Sequence, residues 1–437
     1  MSATTKVSWA DRIRQLCNLA VANNNAAMPR KRIFVVEPQL VFLDGHEHTQ
    51  IKAIKKLLPG CDVFTFTRQD FKLSDALDGE SLLPVLPVAG TATDRKRQKR
   101  SNGKSVAATS AQDRYRAFAE AIGNALNDQQ AIDSDLILVP SAGQETLSAA
   151  VLLQGMRGRR AVPKIKLRIL SNEILADLDA DLLQRIREYC ASGQIGILTE
   201  TAELRAHIED HYRIPVSGRL MLPCALMPDE DVAPPAAKRP GEEFKVGILG
   251  RQRAEKGSYR VPAILKQLRS VAAERGGGQR FRFVYQAVKN KRARRLVLEI
   301  RTWLGARKNP EVTIQYLTSG MSDDDFRQLV RDVDILLLPY STRRYALSGS
   351  GIILDGVLAR KPMVFSRGMA NRELLSLGNA EAAASDREFA EMILKVASDY
   401  ERYRQGAENA AEYYSSMVHA QMADVFETAD GAAAGSG

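Results

Sequence analysis

Two short segments of this 437-residue chain gather residue types that bind anions. The first, "GRQRAEKG", runs from Gly250 to Gly257 directly behind the apolar run "FKVGIL". Gly250 and Gly257 let a backbone turn and approach a ligand closely, while Arg251, Arg253 and Lys256 can donate charge-assisted hydrogen bonds to phosphate oxygens. The second segment follows "DILLLPY" and ends in Ser348, Gly349, Ser350 and Gly351 before the apolar stretch "GIILDGVLARK". Ser350 fits a helix N-cap, the glycines expose their amides, and a helix N-terminus carries partial positive charge. Asp355 follows one helical turn beyond Gly351, within reach of a hydroxylated ligand such as a ribose. A diphosphate suits this pair of cradles. The spacing matches neither the Walker loop nor the GxGxxG fingerprint, so ATPase and dehydrogenase chemistry lose support. The plain alternatives are a basic surface turn and an ordinary capped helix.

The surrounding elements must bring both segments to one place. Apolar runs such as "KRIFVVEPQLVF", "CDVFTFT", "DLILVP", "KIKLRIL" and "IGILTE" alternate with helical periodicities such as "HTQIKAIKKLL", "QETLSAAVLLQGM" and "TAELRAHIEDHYR", and "GRLMLP" closes the series. That alternation predicts a doubly wound parallel α/β domain over 31–226, after an N-terminal helical extension over 1–30. It breaks between Pro84 and Ala111, where "DRKRQKRSNGK" reads as a mobile basic loop, either a solvated surface or a contact for an acceptor or a membrane. A Pro-rich, charged stretch over 227–243 is the expected linker. A second run of the same alternation predicts another Rossmann-like domain over 244–398, from "FKVGIL" to "PMVFS". The remainder is expected to be helical over 399–429, continuous with "REFAEMILKVAS", with a disordered tail over 430–437. Ligands of such sheets bind at the carboxyl ends of the strands, where both anion-binding segments fall.

Bulk properties narrow the class. The chain is long enough for two domains, 45% hydrophobic and 26% charged, with no apolar stretch long enough to span a bilayer and no N-terminal apolar core with a cleavage site. A cytoplasmic protein is expected. Cys17, Cys61, Cys190 and Cys224 stand in no zinc or CxxC spacing and suit a reducing compartment. The net charge of +10 favours an acidic partner, whether nucleotide phosphates, nucleic acid or an anionic membrane surface met peripherally. The basic helix carrying Lys291, Arg292, Arg294 and Arg295 lacks the aromatic residues that stack bases, so nucleic acid ranks last among these partners.

In content and order, the two segments resemble the donor half of GT-B glycosyltransferases, particularly the retaining family-4-like group. In that family a G-R-x-x-x-x-K-G loop supplies Arg and Lys to the diphosphate of a nucleotide sugar, which implies Arg251 and Lys256 here. "VTIQYLTSGMSDDDFRQLVRDVDILLLPYS" is similar to the stretch leading to the family signature, in which one Glu lies near the donor sugar and a second near the ribose. On that alignment the second Glu becomes Asp355 and the first becomes Leu347, which cannot hydrogen-bond a sugar. Tyr345, Arg343 and Arg344 are the nearest candidates to serve the sugar instead. The resemblance covers 244–366 by motif and the first half by pattern alone.

It implies a GT-B fold: two Rossmann-like domains facing across a cleft, with a C-terminal helix returning to the first. It also implies transfer of a sugar from a nucleotide-diphosphate donor to a hydroxyl of a glycan, glycolipid or protein-linked glycan. Retention is implied by the resemblance only. No DxD-like element stands at a strand end, so a metal is not expected, and no cofactor beyond the donor substrate is. In the first domain, Gly45 and His46 follow the first strand and face the expected cleft, where a neutral His could position a hydroxyl or take its proton. Gln144, Asn172 and Glu173 also follow strands and are polar. Leu347 keeps open a non-catalytic protein that binds nucleotide or glycan on the same fold, and a nucleotide-sugar epimerase is a third reading.

Overall fold

The computed structural model describes residues 30–40, 46–71, 81–88, 110–156, 162–228, 230, 235, 237–239, 241–286, 311–317 and 321–427. Gly45, the basic loop after Val88, the helix expected near Lys291, the N-terminal extension through residue 29 and the tail lie outside them.

Seven strands form the first sheet: β1 (Arg32–Val36), β2 (Asp62–Arg68), β3 (Ser81–Leu86), β4 (Leu136–Ala142), β5 (Lys164–Ile169), β6 (Ile195–Thr199) and β7 (Val216–Arg219). Their order is β3-β2-β1-β4-β5-β6-β7 and every pairing is parallel. Successive parallel strands need crossovers, and among the described residues the helices that supply them are α1 (His46–Leu57), α2 (Ala111–Asp128), α3 (Gln144–Gln154), α4 (Ala180–Ala191) and α5 (Ala202–His207). With helices on both faces, central strands read as unbroken apolar runs, and β4 is buried at all seven positions.

The second sheet contains β8 (Phe244–Ile248), β9 (Phe281–Gln286), β10 (Val312–Leu317), β11 (Ile335–Leu338), β12 (Met363–Ser366) and β13 (Ala380–Ala383), again all parallel, in the order β10-β9-β8-β11-β12-β13. Its longer helices among the described residues are α6 (Val261–Glu274), α7 (Asp323–Asp332), α8 (Gly351–Leu358) and α9 (Asp386–Ser398). Strand order reverses between β1 and β4 in one sheet and between β8 and β11 in the other. Those reversals open a crevice at the strand ends, the position where open α/β sheets take ligands.

The last helix, α10 (Tyr400–Glu427), joins the two layers. Tyr414 and Val418 pack among second-domain residues, whereas Met422 and Val425 complete the cluster of Ile33, Ile51 and Leu222 in the first. The Tyr414 hydroxyl donates to the Met221 carbonyl at 2.8 Å, and Gln421 accepts from the Met221 amide at 2.9 Å.

Three elements differ from the sequence reading. The break expected at Pro84 falls inside β3, where Pro84 pairs with Thr67. This is an edge strand, so proline costs no ladder bond on its open side. β13, "AEAA", has weak strand propensity and forms by adding to β12 with Met363 opposite Ala380. The continuous C-terminal helix is broken at Asp399, between α9 and α10. No helix among the described residues is long and apolar enough to cross a membrane.

Candidate active site

At the end of β8 the chain turns at Gly250 with φ +81°, and its amide donates to Gln286 Oε1 at 2.7 Å, tying the turn to the end of β9. The buried Gln252 amide donates to the carbonyls of Ile248 and Gly250 and fixes the loop from inside. Gly257 is required twice over. Its φ is +67°, and a Cβ there would lie 1.8 Å from the Pro339 carbonyl oxygen. The Ser341 amide donates to the Glu255 carbonyl at 2.8 Å, so the loop is docked against the end of β11.

Docking directs Lys256 inward. Its ammonium lies 5.3 Å from the Tyr340 ring centroid, and a Cβ at Gly250 would come within 3.0 Å of Nζ and 3.1 Å of Ile352 Cδ1. Burial lowers its pKa, with the Arg253 charge contributing in the same direction. Arg253 lines the cleft beside it, 3.4 Å from Glu255. Arg251, the arginine that the resemblance implies, is exposed and does not line the cleft.

The second cradle is the start of α8. Ser350 holds the N-cap position, but its side chain makes no cap hydrogen bond. Gly349, Ser350 and Gly351 all line the cleft, whereas Ser348 is half-buried outside it. Gly351 admits Cys224, whose Sγ would lie 2.7 Å from a Cβ. Tyr345 is buried at the same wall with its ring 4.7 Å from Tyr340. Asp355 lines the cleft as well, with one of its oxygens already engaged. Only 2% exposed, it accepts the amides of Ala225 and Leu226 through Oδ1, at 2.7 and 3.1 Å, and so ties α8 to the segment leaving the first domain. Burial outweighs those two bonds and pushes its pKa up to about 6.

His46 faces these residues from the first turn of α1 and lines the same cleft, whose volume is ≈ 360 Å³. Glu47, 3.0 Å from Nε2, raises the imidazole pKa from its ordinary value. Gln144 bonds to the Asp177 carbonyl instead, and Glu173 forms an ion pair with Arg344 across the domain boundary. Arg343 is exposed and Asn172 half-buried, neither lining the cleft.

Sequence reasoning passed over three charged residues at the strand ends of the first sheet. Glu37 follows β1, is 1% exposed, and has Oε1 on the Gln39 amide at 3.0 Å while Oε2 has no partner among the described residues. Burial pushes its pKa up to about 7. Arg168, 1% exposed in β5, reaches the Pro140 carbonyl at 3.0 Å and Glu200, just past β6, at 3.2 Å. The available signal was a charge closing an apolar run, as in "RIFVVE" and "IGILTE".

Two parallel doubly wound sheets, an interdomain cleft at their strand ends and a crossing C-terminal helix define the GT-B fold. No family model matches the chain, and no curated protein does. Solved structures share the fold at low identity. A sucrose-phosphate synthase from Thermosynechococcus elongatus aligns at TM-score 0.57 and 13% identity, covering 91% of this chain and 97% of its own. A glycosyltransferase from Rickettsia africae aligns at 0.55 and 11%, covering 94% and 100%. Anabaena HepE in complex with UDP aligns at 0.54 and 14%, covering 91% and 97%.

Proposed function

We propose that the chain is a glycosyltransferase that moves a sugar from a nucleoside-diphosphate donor to a hydroxyl of a glycan or lipid-linked acceptor, with retention and without a metal. The observation that carries this reading is the convergence of Lys256 with the uncapped N-terminus of α8 in one cleft, opposite His46. A leaving diphosphate gathers charge as the glycosidic bond stretches. Lys256, Arg253 and the amides around Ser350 are fixed donors for that charge, needing little reorganisation. Asp355 acts by holding the segment at Ala225 against α8, a positioning role. Similarity to structures that hold UDP supports a nucleotide donor, and the motif resemblance supports retention. The net charge of +10 supports approach to an anionic membrane surface bearing the acceptor.

A thermal-shift screen against nucleoside diphosphates and their sugar conjugates tests the reading. Ligand at about a hundredfold over its Kd stabilises the native state by about 2.7 kcal/mol, a readable shift. The expected result is a shift with one nucleotide that Lys256→Ala abolishes and Arg253→Ala reduces. Absence of any shift would remove the donor site. A shift without turnover on any hydroxyl acceptor would identify a binding protein, and turnover without acceptor an epimerase.

A further inference from the structure

A second cavity, of ≈ 190 Å³, opens in the first domain between α2, α3 and α4 and shares no lining residue with the cleft. Ser148 and Val151 of α3 line it, with Tyr115 and Arg116 from α2 and Asp181 and Arg185 from α4. Ser148 is the informative member. It is 3% exposed in mid-helix, and its Oγ is buried with no hydrogen-bond partner among the described residues, although a helical serine commonly bonds the carbonyl one turn back. An unpartnered buried hydroxyl costs stability, so a polar atom entering the cavity would complete it.

The charges around the cavity are also unspent. The side chains of Arg116, Asp181 and Arg185 make no hydrogen bond or ion pair among the described residues. Asp179, the N-cap of α4 and a further lining residue, uses Oδ1 to accept the Leu182 amide at 2.8 Å. The helices are held by other groups: Arg114 bridges α2 to Glu145 of α3 at 3.5 Å. Two guanidinium groups, two carboxylates, a phenol and a buried hydroxyl thus face one small space and sum to no net charge.

That arrangement selects its ligand. A phosphate would meet Asp179 and Asp181, and an organic cation would meet Arg116 and Arg185. A neutral hydroxylated ring satisfies both, since each hydroxyl donates to a carboxylate or accepts from a guanidinium while the C–H face packs on Tyr115 and Val151. The volume is below that of a cavity for a drug-sized ligand and takes a single ring. The segment from Glu173 to Asp179 connects this cavity to the domain boundary, where Glu173 pairs with Arg344, and Gln144 at the start of α3 steadies it through the Asp177 carbonyl at 3.1 Å. We propose that the cavity is a glycan-binding subsite that takes one sugar ring of the acceptor, remote from the hydroxyl that reacts, so that the acceptor is an oligosaccharide or longer chain. Its place in an acceptor site rests on the glycosyltransferase reading above; its binding of a sugar ring does not.

The test is an array of α- and β-linked oligomers of glucose, galactose, mannose and N-acetylglucosamine probed with the full chain, followed by saturation-transfer NMR titration of the best binder. Wild type, Asp181→Ala, Arg185→Ala and Ser148→Val are compared, with UDP and GDP titrated in parallel. The first two variants remove side chains from the helix surface and should spare the fold, and Ser148→Val removes the buried hydroxyl at similar size. The wild type is expected to bind an oligomer, and Asp181→Ala and Arg185→Ala should each weaken it by about tenfold or more, the range for a hydrogen bond to a charged group. Ser148→Val should weaken it as well, with nucleotide affinity unchanged throughout. An array without a binder overturns the proposal, as do variants that keep wild-type glycan affinity or lose glycan and nucleotide affinity in step, the mark of a structural role. Glycan bound through this cavity by a chain that binds no nucleoside diphosphate keeps the subsite but overturns its acceptor role together with the glycosyltransferase reading; nucleotide binding with a silent array overturns the subsite alone.

Discussion

The strand ends of the second sheet and those of the first meet in one cleft but are built by different means. On the second, the site is mostly main chain: a loop turned at Gly250 and Gly257, a helix start at Ser350, and one inward lysine. On the first, it is side chain: His46 lines the cleft, and Glu37, Arg168 and Glu200 are buried at the strand ends, the four drawn from separate segments and held by neighbouring side chains or by backbone. A main-chain site tolerates little change in shape and a side-chain site little change in charge. Substitutions should separate the two.

The largest effect is expected from Gly257→Ala. Its Cβ would sit 1.8 Å from the Pro339 carbonyl at positive φ, so strain and overpacking together should cost about 3 kcal/mol or more in urea unfolding, with nucleotide binding lost. Lys256→Ala changes charge and not shape. It should fold normally while kcat/KM for transfer falls by about 10²- to 10³-fold, as for removal of one fixed donor to developing charge. Equal loss of fold in both variants would erase the distinction on this side of the cleft.

Glu37→Gln probes the other side. Native Glu37 holds its proton to about pH 7 against an unfolded value of 4.5, so the native state binds more protons in that window. The group's contribution to stability is full below pH 4.5 and is lost as pH rises through about 7. Relative to wild type, Glu37→Gln should therefore gain up to roughly 3 kcal/mol between pH 4.5 and pH 8, measured by urea unfolding across pH. A pH-independent difference would mean that Glu37 is not the buried acid described. The smallest effect is expected from Tyr414→Phe. It removes the bond from α10 to Met221 and should lower stability by about 1 kcal/mol without altering nucleotide affinity.

The same division explains what could be read from the sequence. Glycines and cations of the loop from Gly250 to Gly257 lie within eight residues of one another, and the run "DILLLPY" with its following Gly and Ser residues announces a strand end and a helix start. Local spacing carries such a site. Lys256 is brought in from its own loop, but Arg253 rather than Arg251 faces the cleft because the docked turn, not the motif, sets side-chain direction. Arg168 and Glu200 stand 32 residues apart, and nothing near either names the other. Asp355 lines the cleft with Gly351 as the one-turn spacing suggests, but the amide partners of its Oδ1 lie 129 and 130 residues away and could not be read locally. Strands were legible wherever burial on both faces forced continuous apolar runs. β3 and β13 escaped because edge pairing, not composition, makes them strands.

α10 carries a consequence for the birth of the protein. Met422 and Val425 fill the same cluster as Ile33 and Ile51, which sit near the other end of the chain. During synthesis the first domain emerges with that gap in its core, and it stays open until residues 422–425 have left the ribosome. A chain halted before residue 422 therefore leaves that cluster of the first domain unfilled.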